Sequence, residues 1–222
     1  MKKRSMILAL LCGMLGCLCF GGGDWLMIYG DTSHVGQLSW LTAGTAAIPS
    51  WRYTLAMALS FPGILLYGIA LFAVGGYIQG TREKKIHHYL NVFGLTPWIA
   101  LHLFYILILS LFAWMNANGY SQESLTVCEA LFARLSWLVP VSEALMLPPF
   151  LYWFYLQLRG KTVFPRPMAF TNVLLIFAIL KVITLLMPDR PFRLAFTNGL
   201  MSESMLLWFG IMLAWELRRN RP

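Results

Sequence analysis

Six stretches of this chain, 5–29, 53–79, 92–116, 125–158, 168–187 and 195–217, run for 20 residues or more with hardly a charge in them. A bilayer core about 30 Å thick takes about 20 apolar residues to cross as a helix, so runs of this length constrain the fold more than any other feature. The alternating segments of about ten residues that build an outer-membrane barrel are missing. The expectation is an all-α polytopic integral membrane bundle of about six transmembrane helices, with residues 1–222 as a single domain. Composition agrees: 12% of the residues are charged, against about 25% in an ordinary soluble domain.

The net charge of +8 would suggest nucleic acid in a soluble protein, but its placement says otherwise. Lys2, Lys3 and Arg4 precede the first run. Arg82, Lys84 and Lys85 follow the second, Arg159, Lys161 and Arg166 the fourth, and Arg218, Arg219 and Arg221 the sixth. Twelve of the 17 Lys and Arg thus fall on one side, and only Arg52, Arg190 and Arg193 on the other. The positive-inside rule then puts both termini in the cytoplasm of a cell membrane, a bacterial inner membrane being expected. The basic excess is a topology signal, and no nucleic-acid partner is needed to explain it.

Met1 to Cys19 also has the outline of a signal peptide, and 14–17 loosely matches a lipoprotein box. The apolar run continues to Tyr29, too long for such a segment, so an uncleaved first helix is expected. Ala9, Gly13, Cys17 and Gly21 recur every fourth residue, a small-residue ridge on which membrane helices approach closely. Gly76 and Gly80 offer a weaker version. Within the connection 30–51, residues 39–48 are apolar enough for a short interfacial or re-entrant helix. The 34 residues of 125–158 are expected to bend at Pro140, Pro148 or Pro149, because a straight helix of that length reaches about 51 Å. The segment 81–91, with His87 and His88, reads as a solvated cytoplasmic loop.

An ionisable side chain at the centre of a bilayer costs about 2.5 to 3.5 kcal/mol on insertion scales, so each one needs a partner, a cavity or a task. Asp24, His102, Glu129, Arg134, Glu143, Lys181 and Glu203 lie inside the runs, together with Asn116 and Asn198. With the inferred orientation most share the outer half of the bilayer, His102 and Glu143 lying nearer its middle. A polar chamber open to the extracytoplasmic side follows. In it Asp24, Glu143 and Glu203 are the acid/base candidates, and Arg134 and Lys181 would hold a phosphate or a developing negative charge. Glu129, His102, Asn116 and Asn198 complete the substrate-binding set. On a straight helix Glu129 and Glu143 would share a face to within about 40°.

At Gly22-Gly23-Asp24-Trp25 the chain resembles uncharacterised bacterial multi-pass families with a Gly-Asp motif in an early helix. At the same residues it is similar to lysoplasmalogenase-like membrane hydrolases. That resemblance covers part of one helix and implies a hydrolytic role for Asp24 alone.

Two classes of function fit the pattern: an intramembrane enzyme acting on a lipid-like or isoprenoid substrate, or a small proton-coupled transporter or channel. A noncatalytic assembly partner is the third. No P-loop, nucleophile elbow, zinc-helix or dinucleotide fingerprint occurs, so neither cofactor nor metal is expected. The partners expected are the bilayer itself and a lipid or isoprenoid ligand. The topology is checked by reporter fusions: green fluorescent protein at the C-terminus should fluoresce and alkaline phosphatase there should be inactive, the reverse result inverting the orientation.

Overall fold

A computed structural model of the chain describes residues 3–29, 49–188 and 191–219. It is 89% helical, with no strand among the described residues. Among the described residues seven α-helices follow one another: α1 Lys3–Ile28, α2 Ser50–Val74, α3 Thr81–Ala117, α4 Ser121–Leu135, α5 Leu138–Leu158, α6 Val173–Leu186 and α7 Pro191–Arg218. The helix expected within 39–48 lies outside the described residues.

Helices α1, α2, α3 and α7 are long and apolar enough to cross a membrane, and α4 with α5 make a fifth crossing if the bent pair is one span. The expected set of six is modified at 168–187. There α6 has 14 residues and rises about 21 Å, short of a bilayer core. Large apolar side chains line the outside of the bundle: Leu8, Leu15, Phe61, Ile69, Phe93, Leu107 and Leu151 are all exposed. Water would penalise such a surface, whereas acyl chains match it.

Three expectations change. The segment 81–91 is helical, not a loop, because α3 runs for 37 residues, about 55 Å at 1.5 Å per residue. Its first turns carry Arg82, Lys84 and Lys85 beyond the apolar part, yet His87 and Asn91 on the inward face are buried. The pair Gly76 and Gly80 forms no helix ridge, since α2 stops at Val74 and a 3-10 turn covers Gly75–Tyr77. The fourth run bends by 50° between Leu135 and Leu138, one step before Pro140 and well before Pro148 and Pro149. Pro140 falls in the first turn of α5, where a proline is tolerated because the missing N–H has no intrahelical partner. Its ring crowds the carbonyl four residues back, at Ser136, inside the break. The bend also ends the straight-helix relation between Glu129 and Glu143.

Packing begins with α1, which lies against both α2 and α7, while α3 joins α2 to α5 and α6 packs on α7. The α1–α2 contact is backbone on backbone: a Cβ at Gly16 would stand 2.9 Å from both the Gly63 carbonyl oxygen and the Tyr67 amide nitrogen. The small-residue ridge of α1 has larger partners. A Cβ at Gly13 would meet Ala70 at 2.7 Å and Phe209 at 2.8 Å, and one at Gly21 would meet Ser202 at 3.0 Å. On the other side of the bundle a Cβ at Gly94 would collide with the Leu145 carbonyl, so α3 and α5 also touch through a glycine.

The basic end is closed by its loops. The Gln79 amide donates to the Lys161 carbonyl at 2.7 Å and the Val163 amide to the Tyr77 carbonyl at 3.0 Å. Lys161 also pairs with Glu83 at 3.4 Å. Helix α5 ends with Gly160 at φ 65°. The Lys161 amide reaches the Leu156 carbonyl at 2.8 Å and the Gly160 amide the Gln157 carbonyl at 2.9 Å, a double C-cap that needs the left-handed glycine.

Gly16→Leu should force α1 off α2 and cost about 1 to 3 kcal/mol, the usual range for overpacking. Thermal unfolding in detergent checks this, with Leu15→Ala on the exposed face of α1 expected to leave the midpoint near wild type.

Candidate functional site

A cavity of about 320 Å³ lies in the half of the bundle away from the basic loops, and its lining comes from α1, α2, α3, α5 and α7. It lies where two apolar clusters meet, one containing Phe20 and Trp98 and the other Met27 and Leu109. Four polar positions picked out in the sequence line it: Asp24, His102, Glu143 and Asn198. Ser60 and Ser202 join them.

Helix packing explains the convergence. Asp24 is near the C-terminal end of α1, one residue past Gly23, whose absent Cβ leaves room for the Ser60 hydroxyl and the Ala56 carbonyl of α2. A side chain at 23 would push Ser60 away. Ser60 is 4% exposed, and among the described residues its hydroxyl has no hydrogen-bond partner. The Asp24 carboxylate likewise has no hydrogen bond or cation from the described residues, while Glu203 is near enough for the two acids to interact electrostatically.

Glu203 does not line the cavity. Its Oε1 accepts a hydrogen bond from the Trp25 indole at 2.9 Å, and Oε2 is buried without a partner among the described residues. Gly199, one turn earlier, stands beside this bond: a Cβ there would come within 3.1 Å of Glu203 Oε1 and 3.3 Å of Trp25 Nε1.

On α3, His102 Nδ1 lies 2.7 Å from the Trp98 carbonyl oxygen. A carbonyl only accepts, so Nδ1 carries the proton and Nε2 is the basic nitrogen of the neutral ring. The imidazole is wedged among aromatic rings, with centroids 4.1 Å from Trp98, 5.0 Å from Phe20 and 5.9 Å from Tyr105. Such packing fixes its orientation.

The remaining candidates are elsewhere. Arg134 and Lys181 are exposed on α4 and α6 and line no part of the cavity, so the phosphate-holding pair expected from the sequence is not assembled here. Glu129 is half-buried on α4, its Oε1 enclosed without a hydrogen bond among the described residues. Asn116 fastens α3 to α4, donating to the Phe112 carbonyl at 2.9 Å and the Ser124 hydroxyl at 3.3 Å. Among the described residues no group of His, Cys, Asp and Glu could hold a metal ion.

A second set of buried polar side chains, at the basic end, escaped the sequence reading: His87, Asn91, Gln157 and Glu216. Asn91 Nδ2 donates to the Leu71 carbonyl at 3.2 Å and lies 3.4 Å from His87 Nδ1. Spacing carried the signal, since His87, Asn91, Trp98 and His102 continue one helical stripe backward through the supposed loop.

Lipid-length helices enclosing an acidic, aromatic-walled cavity make this a membrane-embedded helical bundle. The chain belongs to the family whose model matches residues 1–220, DUF6796, a family of unknown function. No curated protein and no solved structure matches it.

Trp25→Phe removes the indole donor and leaves both buried oxygens of Glu203 without a partner. Stranding a buried acceptor costs about 1 to 3 kcal/mol, more when it is charged, so the thermal midpoint should fall. Glu203→Gln, which keeps an acceptor for the indole, should lower it less; an equal or larger loss would refute the role of this bond.

Proposed function

We propose that this protein is an intramembrane enzyme that takes the polar end of a lipid-like or isoprenoid molecule into the cavity from the extracytoplasmic half of a cell membrane. One observation supports this most: Asp24, His102 and Glu143, from three helices, line the same small cavity. General acid/base catalysis needs a proton donor and an acceptor held at one place with water largely excluded. His102, with Nδ1 tied to the Trp98 carbonyl, offers Nε2 as the acceptor. Asp24 and Glu143 are the carboxyl groups that give or take the second proton, and Glu203, anchored by Trp25, sets the electrostatic surroundings of Asp24. The volume is at the low end of the roughly 300 to 1,000 Å³ of ligand pockets, which suits a head group while the tail stays among acyl chains.

A second reading, proton-coupled transport, draws on the polar seam between α2 and α3. Ser60 and Tyr67 on α2 and Asn91 and His87 on α3, all buried, extend from the cavity toward the basic end. Groups at successive turns are what a proton relay through a low-dielectric interior requires.

Asp24→Asn, His102→Ala and Glu143→Gln should each reduce turnover of extracted membrane lipids by about 10²-fold or more, the usual contribution of a positioned acid or base. Mass spectrometry of lipids incubated with purified protein reads this out. Full activity in all three variants would defeat the enzyme reading. Pyranine-monitored proton uptake into proteoliposomes that Tyr67→Phe abolishes would favour transport.

A further inference from the structure

Resting on the reading that the cavity receives the head of an amphiphile, we infer that it selects an organic cation, an ammonium or quaternary ammonium group, over a phosphate or sulfate.

The first ground is where the charges are. Two carboxylic acids, Asp24 and Glu143, line the cavity, and among the described residues no lysine or arginine does. The cations at this end among the described residues are placed elsewhere, Arg190 lying outside those residues. Arg52 Nη2 donates to the carbonyls of Tyr29 at 2.8 Å and Trp25 at 3.3 Å, capping the end of α1. Arg193 donates to the Met187 carbonyl at 3.3 Å, and Arg134 and Lys181 are exposed on α4 and α6. The connection 30–48 contains no lysine or arginine. An anionic head group would meet acids without a counter-charge in a medium that screens poorly; a cationic one would supply the charge the site lacks.

The second ground is the wall. Phe20, Trp98 and Tyr105 line the cavity around His102, and the ring contacts join them into one aromatic surface. Aromatic faces attract cations through the ring quadrupole, Trp most strongly, and cages of such faces recognise quaternary ammonium groups. The Ser60 hydroxyl, 4% exposed and without a hydrogen bond among the described residues, turns a further polar atom into the same space. Acids, aromatic faces and a free hydroxyl match an ammonium head and offer no positively charged donor to a phosphate.

The test measures binding of three decyl amphiphiles, decyltrimethylammonium, decyl phosphate and decyl glucoside, to the full-length protein in a neutral maltoside detergent, by intrinsic tryptophan fluorescence. The ammonium should bind saturably and at least tenfold more tightly than the other two. Glu143→Gln and Asp24→Asn should each weaken it at least fivefold, and Trp98→Leu should weaken it without creating affinity for the phosphate. Glu143 is exposed and free of packing demands, so its variant remains informative if Asp24→Asn does not fold. Phosphate binding as tight as the ammonium, or ammonium binding indifferent to Glu143→Gln, overturns the inference. If phosphate or glucoside binds in a Glu143-dependent way, the cation preference falls and the amphiphile cavity stands. If none of the three binds saturably, both fall.

Discussion

The close approach of α1 and α2 is the contact on which the rest of the molecule depends. Lipid tails are as apolar as leucine, so two membrane helices gain little by burying side chains against each other, and van der Waals contact between small-residue surfaces takes over. Here the surfaces are Gly16 and Gly63, where backbone meets backbone, and Gly23, beside the Ser60 hydroxyl. Because three glycines bring the axes together over the length of α1, the acid that follows Gly23 reaches the cavity beside Ser60 instead of facing lipid. With α7 resting on the other face of α1 and α3 on α2, the remaining walls of the cavity follow.

That arrangement also explains how the fold tolerates acids in an apolar solvent. Each carboxyl is handled differently. Glu203 takes the indole hydrogen of Trp25, and Glu143 stands at the cavity wall. Asp24, inside the cavity, has neither a cation nor a hydrogen bond from the described residues. A charge kept in the membrane without compensation is costly, and the distinction separates Glu203, held by the Trp25 indole, from Asp24, which lines the cavity without such a partner among the described residues. Such unsatisfied polar groups are where folds depart from the rules that stabilise them.

The end with the basic loops is built on another principle. There the connections are joined by backbone hydrogen bonds and by the Glu83–Lys161 pair, and aromatic rings pack tightly, with Phe164 set 4.8 Å from both Tyr77 and Trp215. Trp153 and Trp208, edge to face at 6.1 Å, join α5 to α7 across the bundle. The basic end is held by its loops and the cavity lies in the other half, so the molecule is polarised along its axis as its charge is.

The helical class and four of the polar residues that line the cavity were legible in the sequence, because a 30 Å apolar solvent imposes run lengths and makes every embedded charge conspicuous. Asp24, His102, Glu143 and Asn198 needed only that argument to be singled out. What the chain could not reveal was which of them meet. Arg134 and Lys181 satisfy the same criterion of depth, yet the break between Leu135 and Leu138 and the placement of α6 on α7 leave both on the outside. Ser60 and Ser202 carry no charge to betray them, and His87 and Asn91 lay hidden behind the lysines of a segment that reads as a loop. Period and polarity are local properties written residue by residue; convergence depends on crossing angles and glycine contacts between helices far apart in the chain, and only the packed bundle decides those.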